Sequence, residues 1–149
     1  DFDFLFNTCP KNVIPYHYDK YAQCPERYEM VTTNCLTGKA CYYEEKNNPQ
    51  RIIDIVRASS SLPFVCPIAY VDGIPMLDGG ITDSIPLLRA QSEGFTENNV
   101  VVLTRNRGYR KQIKGTKVPP FIYRKYPLLR EAINNRSKLY NEQLDLVER

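Results

Sequence analysis

Residues 67–77, PIAYVDGIPML, constrain the fold more than any other stretch, because two short apolar arms flank the dipeptide Asp72-Gly73. Asp-Gly supplies the positive φ angles that a two-residue hairpin turn requires. The sequence therefore predicts a tight antiparallel hairpin here. Residues 28–33 and 40–44 are rich in β-branched and aromatic side chains, and Gly38 lies between them. This pattern predicts a second hairpin over residues 28–44.

Two helices are predicted from residue types that favour helix ends. Asn48 precedes a proline and is a candidate N-cap for a helix that continues through about Arg57. Asp83 or Ser84 is a candidate N-cap for a second helix, which Gly94 would end. These helices follow and precede strand patterns, so the chain alternates between the two kinds of structure.

Residues 100–104, VVVLT, form a short continuous apolar run. Such a run is typical of a core strand that is buried on both faces, as in parallel sheets. Residues 126–149 repeat apolar side chains at helical spacing and predict an amphipathic terminal helix. Residues 1–27 contain three prolines, which limits them to short helical turns. Together these elements predict an α/β layered fold.

The composition restricts the class of protein. A chain of 149 residues with 42% apolar and 25% charged residues fits one globular domain. No run approaches the roughly 20 apolar residues that a membrane span needs. The five cysteines are odd in number and lack Cys-x-x-Cys spacing, so we expect reduced thiols in a cytoplasmic protein, although one or two disulfides are an alternative. A single histidine argues against a multi-histidine metal site, and no cofactor is expected.

The segment 105–117, RNRGYRKQIKGTK, carries six basic residues and no acidic residue. Three interpretations stay open: contact with an anionic membrane surface, contact with nucleic-acid phosphates, or a solvated loop. No nucleic-acid-binding module is recognisable, so nucleic acid is the least favoured partner. The candidate headgroup or anion contacts are Arg105, Arg107, Arg110 and Lys111.

The stretch 58–86 contains an ordered series of motifs: Ala58-Ser59, Pro63, the turn at Asp72-Gly73, then Asp78-Gly79-Gly80, Asp83 and Pro86. In this order and spacing it resembles the patatin-like phospholipase family of serine acyl hydrolases. The neighbouring sequences VTTNCLTGKACYY and NNVVVLTRNRGYRK are similar to the bacterial branch of that family, so the resemblance covers most of residues 28–115.

The resemblance implies a Ser-Asp dyad, in which Asp78 is the general base for a serine nucleophile and Gly79 and Gly80 form the supporting turn. A weak hydroxyl nucleophile needs an adjacent base, and a carboxylate can serve as one. The family's Gly-x-Ser-x-Gly elbow does not occur in this chain, and Ser92 in the near-match AQSEG is interpreted as a decoy. A turn-forming Asp-Gly-Gly without any catalytic role is the plain alternative.

The resemblance also implies the architecture. Residues 1–149 would be the C-terminal part of one patatin-like catalytic domain, a partial three-layer α/β/α fold that lacks the N-terminal strands and the nucleophile elbow. The chain begins with aspartate instead of methionine, and we expect it to be part of a longer protein. The expected function is hydrolysis of lipid esters by the complete protein, with no activity in this chain alone. The alternative is a non-enzymatic anion- or membrane-surface-binding module that uses residues 105–117, and the oligomeric state stays open.

Overall fold

The computed structural model describes residues 3–113 and 117–148. Lys114 and the two residues after it, which belong to the basic segment, lie outside the described residues, as does Arg149 at the end of the predicted terminal helix. The elements in chain order are a π-helix over Phe4–Val13, α1 (Tyr18–Gln23), β1 (Glu29–Asn34), β2 (Lys39–Glu44), α2 (Pro49–Ser59), β3 (Ala69–Val71), β4 (Ile74–Asp78), a 3-10 turn over Gly79–Ile81, α3 (Leu87–Ser92) and α4 (Pro127–Val147).

The four strands form one antiparallel sheet, in the order β2-β1-β4-β3. The first hairpin pairs Glu29 with Glu44 and Asn34 with Lys39. The second hairpin is β3–β4, and β4 is joined to β1 by the register Thr32 with Asp78. The fold is therefore mixed α/β, but its sheet is antiparallel, and the parallel arrangement expected from residues 100–104 is wrong for the described strands.

The two hairpin turns show why these segments form strands in this register. In the second turn Asp72 and Gly73 both have positive φ, at 51° and 77°, as the Asp-Gly dipeptide predicts. In the first turn the Asn34 side chain accepts hydrogen bonds from the amides of Leu36 and Thr37. Gly38 has φ 64°, and a Cβ at this position would lie 2.5 Å from the carbonyl oxygen of Leu128. The turn therefore packs directly against the beginning of α4.

Helices cover both faces of the sheet. Met76 and Leu77 are neighbours in β4, so their side chains point to opposite faces, and both are fully buried. On the Met76 side, Ile55 and Ala58 of α2 pack against the sheet. On the Leu77 side, Leu129 of α4 completes a second buried cluster. The described residues thus form three layers, α/β/α.

The end of α4 builds a third apolar cluster away from the sheet. Tyr140 and Leu144 are buried there against Ile85, which lies just before α3. This packing fixes the C-terminal half of α4 over the segment that follows the 3-10 turn. The predicted terminal helix over residues 126–149 is present as α4, and its buried side chains recur at helical spacing.

Residues 100–104 do not form the predicted core strand. Val100 and Val102 are 89% and 84% exposed, and the whole segment is irregular. Val101 alone packs inward, against the cluster around Ile85 and Tyr140. A strand needs a neighbouring strand to pair its backbone groups, and the four described strands pair only among themselves. Residues 100–104 therefore have no strand to pair with among the described residues, and Val101 packs against side chains of α4 and the segment before α3.

The predicted N-caps of the second helix are also wrong, whereas its predicted end is confirmed, because Gly94 directly follows the C-cap of α3 with φ 94°. Helix α3 begins at Leu87 with Pro86 in the N-cap position and without a side-chain cap. Asp83 instead accepts hydrogen bonds from Tyr42 and Gln143, and the Ser84 hydroxyl donates to the Gly80 carbonyl. Both side chains tie the turn to other elements and are unavailable to α3. None of the described helices is long and apolar enough to cross a membrane.

Candidate functional site

Asp78 is the last residue of β4 and the N-cap of the 3-10 turn that follows. Its Oδ1 accepts a hydrogen bond of 2.6 Å from the Gly80 amide. The strand delivers the carboxylate to the end of the sheet, and the turn orients it there. This is the turn geometry that Asp-Gly-Gly favours, and it uses only one of the two carboxylate oxygens.

The backbone of Asp78 is held on both sides. Its amide donates to the Ser61 carbonyl at 2.9 Å, and its carbonyl accepts from the Thr33 hydroxyl at 2.9 Å. The Thr33 hydroxyl also shares a 2.8 Å hydrogen bond with the hydroxyl of Thr82. Thr33 and Ser61 are fully buried, so these bonds are shielded from water. The position of the carboxylate is therefore set by a network that spans β1, β4 and the end of α2.

A side chain at Gly79 or at Gly80 would be too close to a neighbouring atom, and the neighbour differs between the two positions. A Cβ on Gly79 would lie 2.4 Å from the carbonyl oxygen of Val31 in β1, so the turn approaches the strand too closely for any side chain. Gly80 is crowded by polar side chains instead. A Cβ there would lie 2.9 Å from Asp78 Oδ1, 3.7 Å from Ser84 Oγ and 3.8 Å from Arg136 Nη2. Three polar groups thus approach Gly80 beside the carboxylate.

Arg136 of α4 is a site residue that the sequence analysis missed. Its Nε donates to the Gly80 carbonyl at 2.8 Å, and the same oxygen accepts from Ser84 Oγ at 2.7 Å. The guanidinium therefore anchors α4 to the turn that carries Asp78. Nothing distinguishes Arg136 in the sequence, where it is one of several cations on an amphipathic helix.

Lys111 is the predicted anion contact that the structure brings nearest to Asp78. Its amide donates to Asn141 Oδ1, and its carbonyl accepts from Asn141 Nδ2, both at 2.9 Å. Its ammonium lies 4.0 Å from the centre of the Tyr140 ring. Burial, followed by Arg136 and then Arg105, lowers the pKa of Lys111 to about 8, and Asp78 opposes them.

The other three predicted contacts have different neighbours. Arg110 forms ion pairs with Asp145 and Glu148 near the end of α4, and these carboxylates raise the pKa of its guanidinium. Arg105 lies over the Tyr109 ring at 5.1 Å, and Arg107 is exposed. The basic segment is therefore divided: Arg110 is neutralised by α4, and Lys111 is directed toward the site.

Three serine hydroxyls donate to backbone carbonyls. Ser61 Oγ donates to the Arg57 carbonyl, as expected for a serine that ends a helix, and Ser92 Oγ donates to the Arg89 carbonyl within α3. In residues 3–113 and 117–148 no serine hydroxyl donates to Asp78. The Ser84 hydroxyl donates to the Gly80 carbonyl instead.

A cavity of about 410 Å³ borders the site. It lies between α3, residues 99–104 and α4, with Ser84 and Tyr140 in its wall and mostly apolar side chains elsewhere. Its volume is in the range that binds small ligands. Among the described residues no group of three His, Cys, Asp or Glu side chains is arranged to hold a metal ion. All five cysteines are free thiols.

Tyr42 and Asp83 give the site a rigid border. The Tyr42 hydroxyl donates to Asp83 Oδ2 at 2.5 Å, and Gln143 donates to Oδ1 at 2.6 Å. Burial, followed by the hydrogen bond to Asp83, raises the pKa of Tyr42, so the phenol keeps its proton and continues to donate. Both oxygens of Asp83 are thus engaged, which distinguishes it from Asp78.

The chain is therefore a three-layer α/β protein. Its candidate site is the Asp78 carboxylate, at the point where β4 meets the glycine turn. The family comparison makes this specific. Residues 31–90 match the family model Patatin-like phospholipase, so this part of the chain is similar to that family, and the match supports a patatin-like assignment. The matched residues run from β1 into α3 and include Asp78. No curated protein and no solved structure matches the chain.

Proposed function

We propose that the chain supplies the general base of a serine-dependent lipid acyl hydrolase, and that Asp78 is this base. The nucleophile would be a serine that is not among these 149 residues. The observation that carries the proposal is the asymmetry of the Asp78 carboxylate. Oδ1 caps the turn, whereas Oδ2 accepts no hydrogen bond from the described residues. A free carboxylate oxygen on a fixed backbone is what a proton acceptor requires.

In the proposed reaction the serine hydroxyl gives its proton to Asp78 Oδ2 while the serine oxygen attacks the ester carbonyl carbon. The tetrahedral intermediate collapses, the carbon–oxygen bond of the ester breaks, and the leaving alkoxide takes the proton from Asp78. Water then repeats the sequence on the acyl-enzyme: Asp78 accepts a proton from water, and the serine leaves with that proton. The carboxylate ends each turnover ionised, so the cycle is balanced without a cofactor.

The test is hydrolysis of a short-chain aryl ester by a protein that joins these residues to a Gly-x-Ser-x-Gly elbow. We expect Asp78→Asn to lower kcat by about 10²–10⁴-fold, the usual contribution of a general base. Asp72→Asn is the matched control, since it makes the same chemical change at an exposed hairpin turn. Undiminished activity of Asp78→Asn would refute the assignment. The 149-residue chain alone is expected to be inactive.

The membrane-surface alternative depends on free cations in residues 105–117. Arg110 is paired with two carboxylates, and Lys111 is hydrogen-bonded to α4, so residues 105–113 do not present a continuous basic surface. We propose peripheral contact with anionic lipid only for the exposed Arg105 and Arg107, which would act by bringing the site toward its substrate.

A further inference from the structure

Three cations lie along the side of α4 that contacts the turn carrying Asp78. Arg136 and Tyr140 are four residues apart on α4 and therefore share one face of the helix. The Lys111 ammonium lies over the Tyr140 ring, which places it on that same face. Tyr109 contacts the Tyr140 ring edge to face, with centroids 6.2 Å apart, and Arg105 lies over Tyr109. The aromatic pair thus aligns three positive charges along one side of the site.

These cations lack compensating charge. None of the three forms an ion pair with a carboxylate of the described residues, whereas Arg51, Arg89 and Arg110 each have two acidic partners. Asp78 is the single opposing charge that acts on Lys111, so the group carries an excess of two positive charges. Mutual repulsion and partial burial both disfavour the charged lysine. An anion bound among the three cations would attract all of them and would stabilise the charged form of Lys111.

The geometry leaves donors available for such an anion. Arg136 uses Nε on the Gly80 carbonyl, and its Nη2 donates to none of the described residues. The Lys111 ammonium has no hydrogen-bond acceptor among the described residues and contacts only the Tyr140 ring face. Planar guanidinium and ammonium groups together are the donors that proteins use for phosphoryl oxygens.

We propose that Lys111, Arg136 and Arg105 form a binding site for a phosphoryl anion next to Asp78. The assignment of this anion to the ester substrate rests on the proposed function; the site itself does not. Its chemistry fits the phosphodiester of a lipid headgroup and also inorganic phosphate. In the first case the anion site and the neighbouring apolar cavity would hold the two ends of one substrate.

The test is calorimetric titration of the 149-residue chain with inorganic phosphate and with a soluble short-chain diacyl phosphodiester. We expect Lys111→Met to weaken binding by about tenfold, the effect of losing one charge-assisted hydrogen bond. Lys111→Arg, which keeps the charge, is expected to keep the affinity. Lys138→Met is the matched control, because Lys138 is an exposed cation on α4 whose partner is Glu142.

The probes separate the two sources of the anion. Tighter binding of the phosphodiester than of phosphate identifies the headgroup, and equal or weaker binding identifies free phosphate; a neutral ester with the same acyl chains is expected not to depend on Lys111. The proposal is overturned if neither anion saturates, or if Lys111→Met and Lys138→Met reduce the affinity equally. Because binding is measured without turnover, this result is independent of whether Asp78 is catalytic. Asp78→Asn removes the opposing charge and is expected to tighten anion binding severalfold.

Discussion

Replacing Asp78 by alanine and by asparagine should separate its structural role from its proposed chemical role. Oδ1 accepts a 2.6 Å hydrogen bond from the Gly80 amide, and this bond caps the 3-10 turn. Alanine removes the acceptor, and the loss of a capping side chain or of a hydrogen bond to a charged group costs about 1–2 kcal/mol. For a chain of this size that cost lowers Tm by roughly 2–8 °C.

Asparagine retains an oxygen in the Oδ1 position and is as good a cap as aspartate, so its free energy of unfolding is expected to stay within about 0.5 kcal/mol of the unmodified chain. It cannot accept a proton as a carboxylate does. The two variants should therefore differ in stability and agree in activity, since both lack the base.

The assay pairs chemical denaturation of each variant with ester hydrolysis by the protein that contains the nucleophile elbow. The reasoning is refuted if Asp78→Asn is destabilised as much as Asp78→Ala, because the cap would then depend on charge alone. It is equally refuted if Asp78→Asn retains activity. Asp72→Asn controls for the loss of one negative charge on the surface; its ion pair with Arg51 contributes at most about 1 kcal/mol.

Three further results are expected. Gly79→Ala should destabilise the chain by about 1–3 kcal/mol in urea denaturation, because its Cβ meets the β1 backbone at 2.4 Å; unchanged stability would show that the turn can shift. Thr33→Val should cost about 1–3 kcal/mol by leaving buried partners unpaired, and Thr33→Ser, which keeps the hydroxyl, should restore most of it. Between pH 8 and 10.5 the unfolded chain binds more protons at Lys111 than the folded chain, so the free energy of unfolding of the unmodified chain minus that of Lys111→Met should rise with pH there. Phosphate affinity should fall over the same range as the lysine loses its charge, and Lys111→Met should abolish this fall.

The hairpins could be predicted because their determinants are local. Asp72-Gly73 and Gly38 adopt the positive φ angles that their residue types favour, and the strand patterns flank them directly. The cap at Asn48 is equally local: its side chain accepts from the Arg51 amide, three residues later. In each case a few neighbouring residues determine the backbone conformation, so it can be predicted from the local sequence alone.

The fate of residues 100–104 could not be read in the same way. An apolar run specifies burial but not the partner that buries it, and a strand exists only where another strand can pair with it. The described sheet ends at β2 and β3, so the run has helices as neighbours. Asp83 and Ser84 show the same limit, since partners distant in sequence determine whether a polar side chain caps a helix.

The candidate site was predictable in part. The Asp-Gly-Gly turn is local, and the order of motifs around Asp78 indicated its family. Arg136 could not be found, because only the packing of α4 against the 3-10 turn brings it within 2.8 Å of the Gly80 carbonyl. Lys111 and Arg110 are adjacent in sequence and equally basic, yet their partners on α4 assign one to the site and the other to ion pairs.

Oδ1 of Asp78 caps the turn, whereas Oδ2 is the proposed proton acceptor, and this difference has an evolutionary consequence. The codons of aspartate and asparagine differ by one nucleotide, and asparagine would preserve the cap that Oδ1 provides. A lineage that acquired this change would lose the base without losing folded protein, so selection against unstable chains would not remove it. Relatives with Asn-Gly-Gly at this turn are therefore expected to persist as folded proteins that bind ligands without hydrolysing them.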